Sequence, residues 1–139
     1  MKSNKEKLNH AFIEFYEKLS AWEVDIVKDT GLSLTLVHAV EILGAFGAMP
    51  MKTLADKVGV TTGTLTVQVD KLVDAKLVER IPHQTDRRSI LVGLSDKGRA
   101  LFADHDKLHL QLTTRLTAAF SEQEITQLLS FFNRINNEF

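Results

Sequence analysis

Between residues 51 and 94 the hydrophobic period changes from helical to alternating, and this switch constrains the fold more than any other feature. Leu54, Ala55 and Val58 share one side of a short helical pattern that Gly59 closes. A second pattern opens at Thr61 and carries Leu65, Val69, Leu72 and Val73 inward. Two short helices joined by a turn of about three or four residues containing Gly form a helix-turn-helix. Ala55 is small where the two helices would cross. The period then becomes that of strands, Leu77 to Ile81 and Ser89 to Leu94, with Pro82 to Arg88 as a polar loop between them. A hairpin placed directly after a helix-turn-helix is a wing.

The flanking segments read as longer helices. Leu8, Phe12, Phe15, Leu19, Trp22 and Ile26 recur at heptad-like spacing, and Gly31 marks the stop. Thr35 is expected to cap a second helix running through Val40 and Leu43 to the Gly44–Gly47 region, and Pro50 interrupts the pattern beyond it. Ser95 caps a helix that passes Leu101, Leu108, Leu112 and Leu116, with Asp96 in its positively polarised first turn. Ser121 and Glu124 form a capping box for a last helix whose stripe is Ile125, Leu128, Leu129, Phe132, Ile135 and Phe139. The expected class is mainly α with a small β-hairpin wing, in the order α-α-α-α-β-β-α-α. Residues 35–99 form the winged helix-turn-helix, while 1–34 and 100–139 supply dimerisation helices, because their apolar surface exceeds what the small globule covers. An intramolecular helical bundle would also bury it.

Composition excludes several classes. The 139 residues contain no cysteine, so neither disulfides nor thiolate chemistry is available. No apolar run approaches the roughly 20 residues of a membrane helix, and the charged start Met1 to Lys7 is unlike a signal peptide, so a cytoplasmic location is expected. There is no phosphate-binding Gly loop and no Gly-x-Ser-x-Gly elbow, and His105-x3-His109 lacks the intervening Glu of a zincin, so an enzyme is not expected. The net charge of −1 hides an asymmetry: residues 51–99 hold nine basic against six acidic side chains, and the remainder eight against twelve. Double-stranded DNA responds to such local charge.

The helix opening at Thr61 offers Thr62, Gly63, Thr64, Thr66, Val67, Gln68 and Lys71 at its first turn or away from its core stripe. Hydroxyls and an amide there suit base edges or phosphates in a major groove, Val67 suits a thymine methyl, and Lys71 suits phosphate. At the wing, Arg87 and Arg88 can enter a minor groove, with Asp86 bracing an arginine. A solvated hairpin turn is the plainer reading of that loop. A winged helix used only for protein contact is the rival for the whole domain, and Asp70 and Asp74 on the helix favour it.

The run from Leu72 to Gly98, Leu-x4-Leu-Val-x-Arg-x5-Asp-Arg-Arg-Ser-x4-Leu-Ser-Asp-Lys-Gly, resembles the winged-helix signature of MarR-family regulators. The resemblance implies a DNA-binding repressor. Its terminal helices would intertwine into a homodimer whose two wings grip a pseudo-palindromic operator. Thr62 to Lys71 would then contact the major groove and Arg87 and Arg88 the minor groove. Val67 departs from the pattern, since many members carry an arginine there, and this points to an A·T-leaning site.

His105 and His109 lie one helical turn apart, and with His38 and Glu23 they offer the three imidazoles and one carboxylate of a tetrahedral zinc site. The zinc-sensing branch of the family is similar in these positions. The fatty-acid-synthesis repressor branch, whose effector is acyl-carrier protein bearing a lipid chain, resembles the chain at Val37 to Gly44 and Val60 to Thr66. The same histidines also suit plain hydrogen bonding within a helix junction.

Overall fold

A computed structural model of the chain describes residues 1–86 and 89–139. The order of elements is α1 (Asn4–Val27), α2 (Leu34–Phe46), β1 (Met49–Pro50), α3 (Met51–Val58), α4 (Thr62–Asp74), β2 (Val78–Pro82), β3 (Ile90–Leu94), α5 (Asp96–Leu116) and α6 (Glu122–Asn136). These gather into two units, Met1–Phe102 and Ala103–Phe139. The mainly α class with a small wing sheet is observed. Among the described residues no helix is long and apolar enough to cross a membrane.

In the first unit, α1 starts at a capping box in which Ser3 Oγ accepts the Glu6 N–H while Glu6 accepts the Ser3 N–H. A short 3-10 turn, Lys28–Thr30, then runs into Gly31 at φ 72°. The cap of α2 is Ser33, whose Oγ accepts the Leu36 N–H at 3.3 Å, and not Thr35 as the spacing suggested. Both residue types cap well, and the earlier one lets Leu34 join the first turn.

β1 is a correction of the expected order. Met49 and Pro50 pair antiparallel with Val92 and Leu91, giving a three-stranded sheet ordered β1-β3-β2. β2 and β3 pair from Val78–Leu94 to Pro82–Ile90, a register that turns Val78, Val92 and Leu94 inward. Each strand starts one residue later than the alternation indicated, since Leu77 belongs to the corner after α4 and Ser89 to the wing turn.

The core of this unit joins α2, α3, α4 and the sheet. Leu54, Leu65, Val69, Leu72 and Val92 are fully buried. Each contributes about 1.5–3 kcal/mol by leaving water. Val58 and Val73 are only half-buried at its edge. The close approach of α5 to α2 depends on Gly44, where a Cβ would lie 2.3 Å from the Phe102 ring. In the second unit, Ser121 and Glu124 form the expected capping box on α6. Leu129, Phe131 and Phe132 on that helix are exposed, as are Leu8, Phe12 and Phe15 on α1.

Candidate nucleic-acid interface

The turn between α3 and α4 is made by two residues with defined tasks. Gly59 adopts φ 84°, which ends α3 and lets its N–H and that of Val60 reach back to the Ala55 carbonyl. Thr61 then caps α4, its Oγ1 accepting the Thr64 N–H at 3.2 Å and donating to Thr64 Oγ1 at 3.1 Å. Thr61 therefore sets the start of the helix. Thr66 donates to the Thr62 carbonyl at 2.9 Å, which points its hydroxyl along the helix.

With Leu65, Val69 and Leu72 locked in the core, α4 exposes Thr62, Gly63, Thr64, Thr66, Val67 and Lys71 on one continuous side. Val67 is 55% exposed. A Cβ on Gly63 would meet open space, so the core places no demand for glycine there. Gln68 behaves differently from the rest. It is half-buried, and its Oε1 is sealed from water with no hydrogen-bond partner among the described residues. A buried acceptor left unpaired costs about 1–3 kcal/mol. Gln68→Met, which fills the space without the polar group, is expected to raise the thermal midpoint by a few degrees in a calorimetric scan. An unchanged or lower midpoint would show that the amide finds a partner in solution.

The wing turn is built on His83. Its Nδ1 accepts the backbone N–H groups of Thr85 and Asp86, both at 3.2 Å, and meets Thr85 Oγ1 at 3.0 Å. The His83 N–H reaches the Ser89 carbonyl at 3.2 Å, and the Ser89 N–H reaches that of Asp86 at 3.1 Å. Asp86 Oδ2 accepts the Ser89 hydroxyl at 3.2 Å. Arg87 and Arg88 lie outside the described residues, and with them the expected bracing of an arginine by Asp86. His83 escaped sequence reasoning, although an acceptor two residues ahead of a turn N–H is the position Asn or Asp often takes.

The Leu-Ser-Asp-Lys-Gly run proves to be a clasp on the corner between α4 and β2. Ser95 Oγ donates to the Lys76 carbonyl at 2.6 Å and accepts the Gly98 N–H at 3.0 Å, and the Ser95 N–H reaches the Leu77 carbonyl at 3.0 Å. Lys97 Nζ donates to the Ala75 carbonyl at 3.1 Å. The corner needs this support because Lys76 sits at φ 62°, a conformation that costs a non-glycine residue about 1 kcal/mol or more.

Residues 32–90 match the MarR family model. Over that stretch the chain is similar to the MarR family. It is 29% identical over 105 residues to the HTH-type transcriptional regulator MhqR of Bacillus subtilis, covering 76% of this chain and 72% of that protein. It is 30% identical over 118 residues to the HTH-type transcriptional regulator PecS of Dickeya dadantii, covering 85% of this chain and 65% of that protein. Among solved structures, the fold matches Streptococcus pneumoniae FabT in complex with DNA at a TM-score of 0.82, with 20% identity over 96% of each chain.

The four histidine and glutamate positions divide between the two units. In the first, His38 Nε2 on α2 lies 3.6 Å from Glu23 Oε2 on α1. In the second, the His105 and His109 Nε2 atoms stand 3.1 Å apart on α5, with their rings edge to face and His105 buried. At that separation one ring donates and the other accepts.

Proposed function

We propose that this chain is a transcriptional regulator that binds a pseudo-palindromic duplex as a homodimer. The carrying observation is the single exposed side of α4, with Thr62, Gly63, Thr64, Thr66, Val67 and Lys71 presented outward by a helix whose opposite side is fully buried. Such a helix is rigid and offers its N-terminal residues to a major groove. The relatives' description as HTH-type transcriptional regulators supports the same reading. Arg87 and Arg88 at the wing would enter the minor groove, with Asp86 bracing one of them. The exposed apolar residues of α1 and α6 supply the material of the dimer, and repression is the expected output. Selection of bound duplexes from a random pool tests this: an inverted repeat with half-sites about one helical turn apart is expected. Absence of any enriched sequence would count against it. In the same selection Val67→Arg is expected to move preference from A·T toward G·C at the base pair it faces, since arginine reads guanine in the major groove.

A second reading concerns the effector, and the 3.1 Å approach of the His105 and His109 nitrogens favours zinc over an acylated carrier protein. Metal content of protein purified without a histidine tag decides it. Bound zinc that His105→Ala removes while the fold persists supports this reading, and metal-free native protein overturns it.

A further inference from the structure

Asp70 is an acid on the helix proposed to face DNA, where it should repel phosphate. The structure gives it a partner. The Arg80 guanidinium of β2 donates to Asp70 Oδ1, an ion pair between residues ten apart in sequence on different elements. The Arg80 and Asp70 side chains are exposed, at 36% and 58%, so the pair adds little to folding: exposed pairs contribute about 0–1 kcal/mol.

Its geometry suggests another use. β2 is anchored to the core at Val78 and exposed from Glu79 to Pro82, while β3 is held by the core at Val92, opposite Arg80, so the core holds the wing up to that rung and its outer part projects beyond it. Helix α4 and strand β2 meet at the Ala75–Leu77 corner, which the Ser95 and Lys97 hydrogen bonds fix. Asp70 stands about one turn back along α4 from that corner, and Arg80 about 10 Å out along β2. Helix, strand and ion pair therefore close a triangle, and a triangle with fixed sides has a fixed angle. The wing turn at His83 to Ser89 lies farther out on the same strand, so a small change of angle at the corner becomes a larger displacement at the tip.

We propose that Asp70 and Arg80 are positioning residues that hold the wing at its working angle to the recognition helix. The proposal rests on the DNA-binding reading above. It makes a prediction opposite in sign to simple charge counting. Removing an acid from a DNA-facing helix should tighten binding by relieving repulsion. Loss of the brace should weaken it, because the wing and helix no longer meet their grooves together.

The test uses full-length protein and the duplex recovered by selection, comparing the native chain with Asp70→Asn, Arg80→Gln, the double variant and the reversed pair Asp70→Arg with Arg80→Asp. Each single variant is expected to lose about threefold to fivefold in affinity, the size of an exposed ion pair. The double variant should be no weaker than the worse single one, and the reversed pair should recover most of the loss. Hydroxyl-radical footprints of Asp70→Asn should lose protection where the wing lies and keep it at the recognition helix, with the thermal midpoint essentially unchanged. Tighter binding by Asp70→Asn, or additive losses in the double variant, would overturn the brace. So would a large drop in thermal midpoint, which would mark a purely structural tie. A native chain without salt-dependent duplex binding would instead remove the DNA-binding reading on which the brace depends.

Discussion

Gly98→Ala is expected to lower the thermal midpoint by roughly 10 °C, the consequence of about 3 kcal/mol of overpacking in a chain of this size. A Cβ at position 98 would lie 2.0 Å from the Leu77 carbonyl oxygen and 3.0 Å from its carbon. Both are backbone atoms, so no side-chain rotation relieves the clash. The carbonyl cannot retreat either, because it accepts the Ser95 N–H at 3.0 Å. Either α5 backs away from the α4–β2 corner or the corner opens, and opening it releases the strained Lys76. Ser95→Ala should cost less, about 1–2 kcal/mol, since it removes the cap on the Gly98 N–H and the bond to Lys76 without adding bulk. Thermal denaturation followed by circular dichroism measures both. A shift below about 2 °C for Gly98→Ala would mean that the two segments are not in contact.

The largest functional effect is expected from replacing Arg87 and Arg88 together with alanine. Two arginines in a minor groove meet its concentrated negative potential, and each one removed also forfeits its share of counterion release. In a homodimer the loss occurs twice. Affinity for the selected duplex should fall at least about 100-fold, and the dependence on salt should become shallower. The fold should persist, because the β2–β3 pairs run from Val78–Leu94 to Pro82–Ile90. Electrophoretic or anisotropy titration at several salt concentrations measures it. Unchanged affinity would place the wing away from DNA and leave recognition to α4 alone.

The helix-turn-helix was legible because its signals are local. The Gly59 stop, the helix start at Thr61 and the Leu65-Val69-Leu72 stripe each act within one or two turns of chain, and all three occur as expected. β1 was hidden because two residues show no period. Met49 and Pro50 become a strand only through pairing with β3, more than forty positions away. Ser33 and Thr35 illustrate the limit of cap reading, where two good capping residues stand two apart and tertiary packing chooses.

At the candidate interface, surface exposure on α4 could be read from the core stripe, with Gln68 the exception because its half-burial depends on neighbours outside the helix. The Leu-Ser-Asp-Lys-Gly run was recognisable as a pattern, but its work as a clasp was not, since its partners are the carbonyls of Ala75, Lys76 and Leu77. Asp70 shows the same limit more sharply. Alone on a helix it argues against DNA, and only the path of β2 brings Arg80 to it.

The central claim is that α4 and the wing bind duplex DNA, and the most direct measurement is the equilibrium affinity of the full-length chain for the selected duplex as a function of salt. In the proposed homodimer, Lys71 at phosphate and Arg87 and Arg88 in the minor groove would bring about six cations from two protomers to the duplex, displacing a similar number of counterions, so log K should fall linearly with log salt at a slope near −5. That corresponds to a loss of about 10³-fold between roughly 50 and 200 mM. An affinity indifferent to salt, or no duplex binding at low salt, would contradict it.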